Sequence, residues 1–272
     1  MKESLASNKI TSIKLTEPLL PVERQQRILE LIKEGTTTRV AYLSEFFSVS
    51  EMTIRRDLDF LEEKGVVERT YGGAILRQEW VDEKFKYQDS VHKHPQLKKR
   101  IAQKAATMIN PHDIVFLGEG RTTALVLRYA DPTIPFKIFS NNLGAIPEAQ
   151  NKTSEFLLLG GVYNHASRAL AGPTTIEMIS QVYATKTFLG ADGFSLRTGA
   201  TTTNSEIAQI NRSMIRHSRG QVILMVDHSK FGRVAENVIT PLKKVDIIIT
   251  DRKITNGLHQ HLTLMGVRVV IA

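Results

Sequence analysis

Cysteine is missing from this chain of 272 residues. Its absence excludes a disulfide framework and any metal site built on thiolates. Long hydrophobic runs are missing too. No stretch approaches the roughly 18 uncharged apolar residues that a membrane-spanning helix needs, so no membrane partner is expected. The opening residues, MKESLASNKITSIKLTEPLL, have no apolar centre of the kind a signal peptide carries, and 1–20 read as a flexible polar leader. Neither phosphate fingerprint, G-x-x-x-x-G-K-[ST] or G-x-G-x-x-G, occurs, so no nucleotide cofactor is assigned. His92 and His94 are spaced H-x-H without a third ligand nearby, and His259 and His261 repeat that spacing in a surface helix. No metal and no catalytic residue is assigned. The expectation is a cytoplasmic protein.

What is present is a hydrophobic fraction of 42%, enough for real cores, in a length that favours two domains. The net charge of +8 points to an anionic partner. The charge does not locate that partner. Residues 22–77 hold 9 basic and 10 acidic side chains, so the excess lies elsewhere.

Three helical patterns follow one another in 21–77. Ile28, Leu31 and Ile32 share one face of the first, which stops at Gly35. Val40, Leu43, Phe46 and Phe47 line the second, with Thr37 or Thr38 available to cap it. After a short turn at 48–50, Ser50 caps a third helix whose buried stripe is Ile54, Leu58 and Leu61. A helix followed by two short helices across a tight turn is the helix-turn-helix arrangement. Beyond Gly65, VVERTYGGAIL reads as a two-stranded wing around Gly72 and Gly73. The recognition helix then presents Ser50, Glu51, Thr53, Arg55 and Arg56 to duplex DNA, while Arg69 and Tyr71 of the wing are free to approach its backbone. Which arginine reads a base and which grips phosphate stays open at this level.

Residues 78–96 are charged and aromatic without a clean period, and read as a linker. From 97 to 272, short apolar runs alternate with helical stretches, the pattern of an α/β domain with a mostly parallel sheet covered on both faces. In such sheets ligands bind beyond the carboxyl ends of the strands. The residues just after the runs are rich in glycine, hydroxyls, amides and cations. Gly120, Arg121, Thr122 and Thr123 open a helix and form a seat for phosphate, to which Arg121, Arg168 and Lys230 add cationic contacts.

VSEMTIRRDLDFLEEKGVVERTYGGA resembles the DNA-binding signature of the DeoR-type bacterial transcriptional regulators. SNN, LLGG, FLGADGF, GATTTNSEIAQINRSM, VDHSKFG and IITD resemble that family's effector domain, so the likeness covers nearly the whole chain. It implies a domain similar to sugar-phosphate isomerases and aminosugar-phosphate deaminases, and a homo-oligomeric repressor of a carbohydrate catabolism operon, dimeric or tetrameric. It implies two partners, a double-stranded DNA operator and a phosphorylated sugar effector. It carries over Gly120, Thr122, Thr123, Asn141, Gly160, Gly161, Asp192, Asn204, Glu206, Asp227 and Lys230 as effector-pocket residues. Three departures stand out. Ser48 takes a turn position often held by glycine, and GTTTRV is a residue longer than usual. In the first effector loop, Gly118 replaces an aspartate, Glu119 follows, and Arg121 stands where a small hydroxyl is usual. Arg121 raises the expectation of a more acidic effector, such as a sugar-acid phosphate. Two other functions are weighed against this one: a phosphosugar isomerase or deaminase with an accessory head, and a constitutive DNA-binding protein.

Overall fold

A computed structural model describes residues 19–33, 39–63, 67–70, 72–76, 79–80, 93–149 and 153–272. The chain divides into two units, Met1–Arg77 and Gln78–Ala272, each with its own core.

In the first unit, α1 (Pro21–Lys33), α2 (Val40–Phe47) and α3 (Glu51–Glu63) precede a hairpin of β1 (Val67–Thr70) and β2 (Gly73–Leu76). The apolar stripes named above meet in one cluster: Ile28, Leu31 and Ile32, then Val40, Leu43 and Phe47, then Ile54, Leu58 and Leu61, closed by Val67 and Ala74. Polar links fix the angles between the helices. Arg24 Nε lies 2.6 Å from Asp57 Oδ2, and Gln25 donates to Asp57 Oδ1 at 2.9 Å, so α1 is bolted to α3. Arg24 and Asp57 are both buried. Removing one partner of such a pair strands a charge and typically costs about 3–5 kcal/mol.

The turn between α2 and α3 explains the serine departure. Ser48 has φ +52°, a left-handed conformation for which glycine is the usual residue. Ser44 Oγ braces the turn by donating to the Val49 carbonyl at 2.6 Å. Ser50 caps α3, its Oγ accepting from the Thr53 amide at 3.2 Å. Arg39 occupies the cap position of α2 with no side-chain cap bond. Thr37, Thr38, Gly35, Gly65 and Tyr71 lie outside the described residues.

The second unit opens with β3 (Glu79–Trp80), which pairs in parallel with β13 (Arg233–Val234). Part of the stretch read as linker is therefore a strand partner of the second unit. The expected last residues of that linker, 95–96, begin α4 (Pro95–Ala106). Then follow β4 (Ile114–Leu117), α5 (Arg121–Tyr129), β5 (Lys137–Ser140), β6 (Glu155–Leu158) and a hairpin of β7 (Val162–Asn164) and β8 (Ala169–Ala171). Next come α6 (Pro173–Ser180), β9 (Ala184–Leu189), β10 (Gly193–Ser195), β11 (Gly199–Thr202), α7 (Ser205–Arg216) and β12 (Ser218–Met225). The chain finishes with β14 (Asn237–Thr240), β15 (Ile247–Thr250), α8 (Asn256–Leu264) and β16 (Arg268–Ile271).

The main sheet has seven strands in the order β16-β15-β12-β9-β4-β5-β6, and every pairing is parallel. Alternate residues of one strand feed opposite cores, as the pleat demands. Val115 and Leu117 pack with Ile101 and Ala105 of α4 and Val126 of α5. Phe116, between them, packs with Ile179 of α6 and Ile210 and Met214 of α7. Ile247 and Ile249 divide from Ile248 in the same way. Both faces are covered, which is why these runs are apolar without interruption.

From β4 the chain steps outward through β5 to β6, then returns to the other side of β4 as β9 and continues through β12, β15 and β16. The reversal opens a crevice beyond the carboxyl ends of β4 and β9, the place where ligands bind in sheets of this kind.

Candidate functional site

A cavity of about 300 Å³ occupies that crevice. Its walls are Glu119–Thr123 after β4, Gly190–Asp192 after β9 and Met225–Asp227 with Lys230 after β12. Lys98 of α4, Ala166 and Ser167 of the β7–β8 loop, and Thr202, Thr203, Asn204 and Ile207 around the start of α7 complete it. Gly120, with φ +118°, turns the chain from β4 into α5, a conformation open to glycine and costly to other residues. Its carbonyl accepts from Asn142 Nδ2 and Thr123 Oγ1, each at 2.9 Å. The loop is thus held from behind, and the amides of the first helical turn have no carbonyl partner within the helix. Asn204 caps α7 through the Ile207 amide at 3.0 Å.

The charges in the cavity are mixed and partly buried. Lys98 and Lys230 are buried cations. Burial, then the neighbouring Lys230, pushes the Lys98 ammonium down to about 8. Burial also lowers Lys230, against the pull of Asp192 and Asp227. Burial and the nearby Asp192 push the Glu119 carboxyl up to about 8, with Lys230 opposing. Asp192 is held by Thr202 Oγ1 at 2.8 Å and the Thr203 amide at 3.0 Å. Asp227 accepts from the Ser229 amide at 2.9 Å. A cavity with a helix N-terminus, two buried ammonium groups and several carboxylates can seat an anion at one end and hydroxyl groups at the other.

Of the residues expected in the pocket, Gly120, Arg121, Thr122, Thr123, Asp192, Asn204, Asp227 and Lys230 line this cavity together. The others do not line it. Asn141 is fully buried, and its Nδ2 donates to the Leu170 carbonyl at 2.9 Å. Gly160 and Gly161 pack against α6. Thr175 Oγ1 donates to the Gly160 carbonyl at 2.6 Å, and a Cβ on Gly161 would come within 2.2 Å of the same hydroxyl. Arg168 is exposed with φ +52°, one residue past the cavity wall. Glu206 is exposed and accepts from Asn164 Nδ2 at 3.2 Å. Arg121 lines the cavity with a partner already in place. Its Nη1 pairs with the buried Glu148 at 2.7 Å, and Arg128 holds the second oxygen of that carboxylate. Two guanidinium groups share this one carboxylate, so Arg121 lines the cavity with its charge only partly offset. Sequence reasoning missed Lys98 and did not select Glu119. Lys98 carried a signal, since it falls three and four residues before Ile101 and Ala102, on the apolar face of α4.

On the first unit, Arg55 and Arg56 are both exposed on α3. Arg55 Nη2 pairs with Glu51 Oε2 at 3.2 Å, one turn back. Arg56 makes no hydrogen bond or ion pair among the described residues. Arg69 is not free, contrary to expectation. It lies against α3, where Nη1 pairs with Asp59 and donates to the Arg55 carbonyl at 3.2 Å. Glu62 accepts from its amide at 2.9 Å. Opposite charges within reach across α3 and β1 draw the wing arginine inward. Met52, passed over in the sequence, is 61% exposed in the first turn of α3.

Comparison with known proteins agrees with this division. Residues 24–79 match the DeoR-like helix-turn-helix domain, and residues 93–252 match the DeoR C terminal sensor domain. The chain is 34% identical to the uncharacterized HTH-type transcriptional regulator YulB of Bacillus subtilis, over 86% of this chain and 90% of that protein. It is 30% identical to the HTH-type transcriptional regulator GlpR of Haloferax volcanii, over 93% and 98%. It is 29% identical to a putative aga operon transcriptional repressor of Escherichia coli O157:H7, over 92% and 93%. Among solved structures, ribose 5-phosphate isomerase A of Methanocaldococcus jannaschii aligns with TM-score 0.38 and 16% identity, over 51% of this chain and 55% of that one. A helix-turn-helix head, a sensor domain and relatives matched along almost their whole length leave one conclusion: the chain belongs to the DeoR family of transcriptional regulators.

Proposed function

We propose that this regulator represses a carbohydrate catabolism operon, and that a phosphorylated sugar seated in the β4–β9 crevice controls its hold on operator DNA. The observation that carries the effector reading is the cavity itself. It combines the amino end of α5, the buried Lys98 and Lys230, and the fixed acceptors Asp192 and Asp227. The phosphate sits at Gly120, Thr122 and Thr123, and Asp192, Asn204 and Asp227 receive the hydroxyl groups. Arg121 positions the loop through Glu148. The head binds DNA through α3, with Arg56 offered to base edges, Arg55 and Thr53 beside it, and Ser50 and Glu51 fixing the start of the helix. Names of relatives, such as the aga operon repressor, support a role in sugar metabolism.

Sensing, and not turnover, is assigned to the body. Carboxylates and a lysine in a pocket do not by themselves make an enzyme. Two copies related by a two-fold axis would place two heads on symmetric half-sites. Such a protein works in the cytoplasm, where its operator lies. Control needs a ligand that prefers one state of the protein by about 1–3 kcal/mol, the usual scale of coupling.

The test has two stages. Selection from random duplexes identifies the operator, and a phosphosugar panel is then screened for release of that duplex and for a raised melting temperature. The expected result is one phosphosugar that does both. A panel that neither stabilises the protein nor changes DNA binding refutes the effector assignment. Conversion of a phosphosugar by the protein refutes the sensing-only assignment.

A further inference from the structure

The recognition helix carries more charge than it offers. Glu51 is engaged by Arg55 one turn on, and Asp59 is engaged by Arg69 from the wing. Thr53 and Ser50 share a hydroxyl contact at 2.9 Å. Two side chains on this stretch lie outside these pairings, Met52 and Arg56. Their place on the helix follows from the buried stripe. Ile54 is fully buried, and Met52 and Arg56 stand two residues to either side of it. At about 100° per residue, each projects roughly 160° away from Ile54. Being four residues apart, the two side chains lie one above the other on the solvent side of the helix. Arg55 lies only about 100° from Ile54, on the flank of the helix.

We infer that Met52 and Arg56 form one reading unit for operator DNA, in which the Met52 thioether packs on a thymine methyl group and Arg56 forks onto a neighbouring guanine. This rests on the reading of α3 as the helix that enters the major groove. Thymine is the only base that presents a methyl group there, and an apolar side chain is the partner that recognises it. Guanine offers two acceptors spaced for a guanidinium fork. The two contacts lie one helical turn apart in the protein, about 6 Å along the helix, so the two bases fall within a step or two of each other. Among the other exposed apolar residues of the head, Tyr42 stacks on Phe46 at 6.0 Å. Phe60 is exposed as well, but it sits in the third turn of α3, away from the amino end where base contacts are made.

The test uses the full chain and the duplex it selects from a random library. Each thymine of a half-site is replaced in turn by deoxyuridine, which deletes only the methyl group, and affinity is read by fluorescence anisotropy. One position should weaken binding about fourfold, the equivalent of about 0.8 kcal/mol for a buried carbon group. In Met52→Ala that position should lose its sensitivity, and in Met52→Leu it should keep it. Arg56→Lys should relax the preference at one guanine within two base pairs of that thymine, by about tenfold or more. The inference is overturned if no thymine is sensitive, if Met52→Ala remains as sensitive as the wild type, or if the guanine lies elsewhere in the site. If the wild-type chain selects no sequence at all, the reading of α3 itself has failed, a result distinct from the others.

Discussion

The recognition helix and the sensor cavity hold their cations in opposite ways. On the head, Arg55 and Arg56 are exposed on α3 and Arg69 lies half-buried against it, with Arg55 and Arg69 each held by a neighbouring carboxylate. In the body, Lys98 and Lys230 are buried among the carboxylates of a cavity, and burial drives both ammonium groups below their ordinary range. The contrast matches the partners. A duplex presents a long line of phosphates, so surface cations meet it at little desolvation cost and selectivity comes from whichever groups remain unpaired. A small anion has few contacts to offer, so its site gains by holding cations where water does not screen them.

The contrast can be broken from either side. The largest effect should come from Asp57→Ala, which strands Arg24 in the core of the head. It should destabilise the head by about 3–5 kcal/mol and leave the melting response of the body to a bound phosphosugar intact. Urea unfolding followed separately in each unit measures this. Arg56→Ala should weaken operator binding by about 1–3 kcal/mol and flatten sequence preference. Lys98→Met is the mirror experiment. It should lower phosphosugar affinity by about 1.5–3 kcal/mol while ligand-free operator binding stays as it was, with calorimetry for the first and anisotropy for the second. Arg55→Ala should do least, about 0.5–1 kcal/mol spread evenly over sequences, with a shallower salt dependence.

The cavity also makes a prediction in pH. A bound anion favours the protonated forms of Lys98 and Glu119, both near 8 in the free protein. Phosphosugar affinity should therefore fall as pH rises through that value. Stability has the same direction for Glu119. Its carboxyl is raised from 4.5, so the contribution is complete below 4.5 and is lost as pH climbs through about 8. Glu119→Gln should raise the melting temperature at pH 9 by roughly 3–8 °C and leave it unchanged at pH 4. An equal rise at both values would separate the effect from the proton.

Periodic features were legible in the sequence and pairwise ones were not. Ile54, Leu58 and Leu61 follow the helical repeat, and the interior position of each is dictated by it. The apolar runs of β4, β9, β12 and β15 likewise place themselves in the sheet, and the residues after three of them meet in one cavity. Arg69 was misjudged because its partners, Asp59 and the Arg55 carbonyl, lie on another element. The partner of Arg121 was hidden for the same reason, since Glu148 follows it by 27 residues. Asn141 and Asn142 show the limit most clearly. The two are adjacent and chemically alike, yet the second braces the Gly120 loop and the first faces Leu170. The strand ends at Ser140, just before them, and no composition or spacing reports which way an amide turns there.

The β4–β9 pairing carries a consequence for biosynthesis. Val115 sits beside Lys186 across about 70 residues of chain, and both walls of the crevice depend on that union. The helices of the head, by contrast, close over short distances in sequence and leave the ribosome first. Local contacts form fast and distant parallel pairings form slowly. During every round of translation, a reader of DNA is therefore complete before the sensor that is to govern it has been assembled.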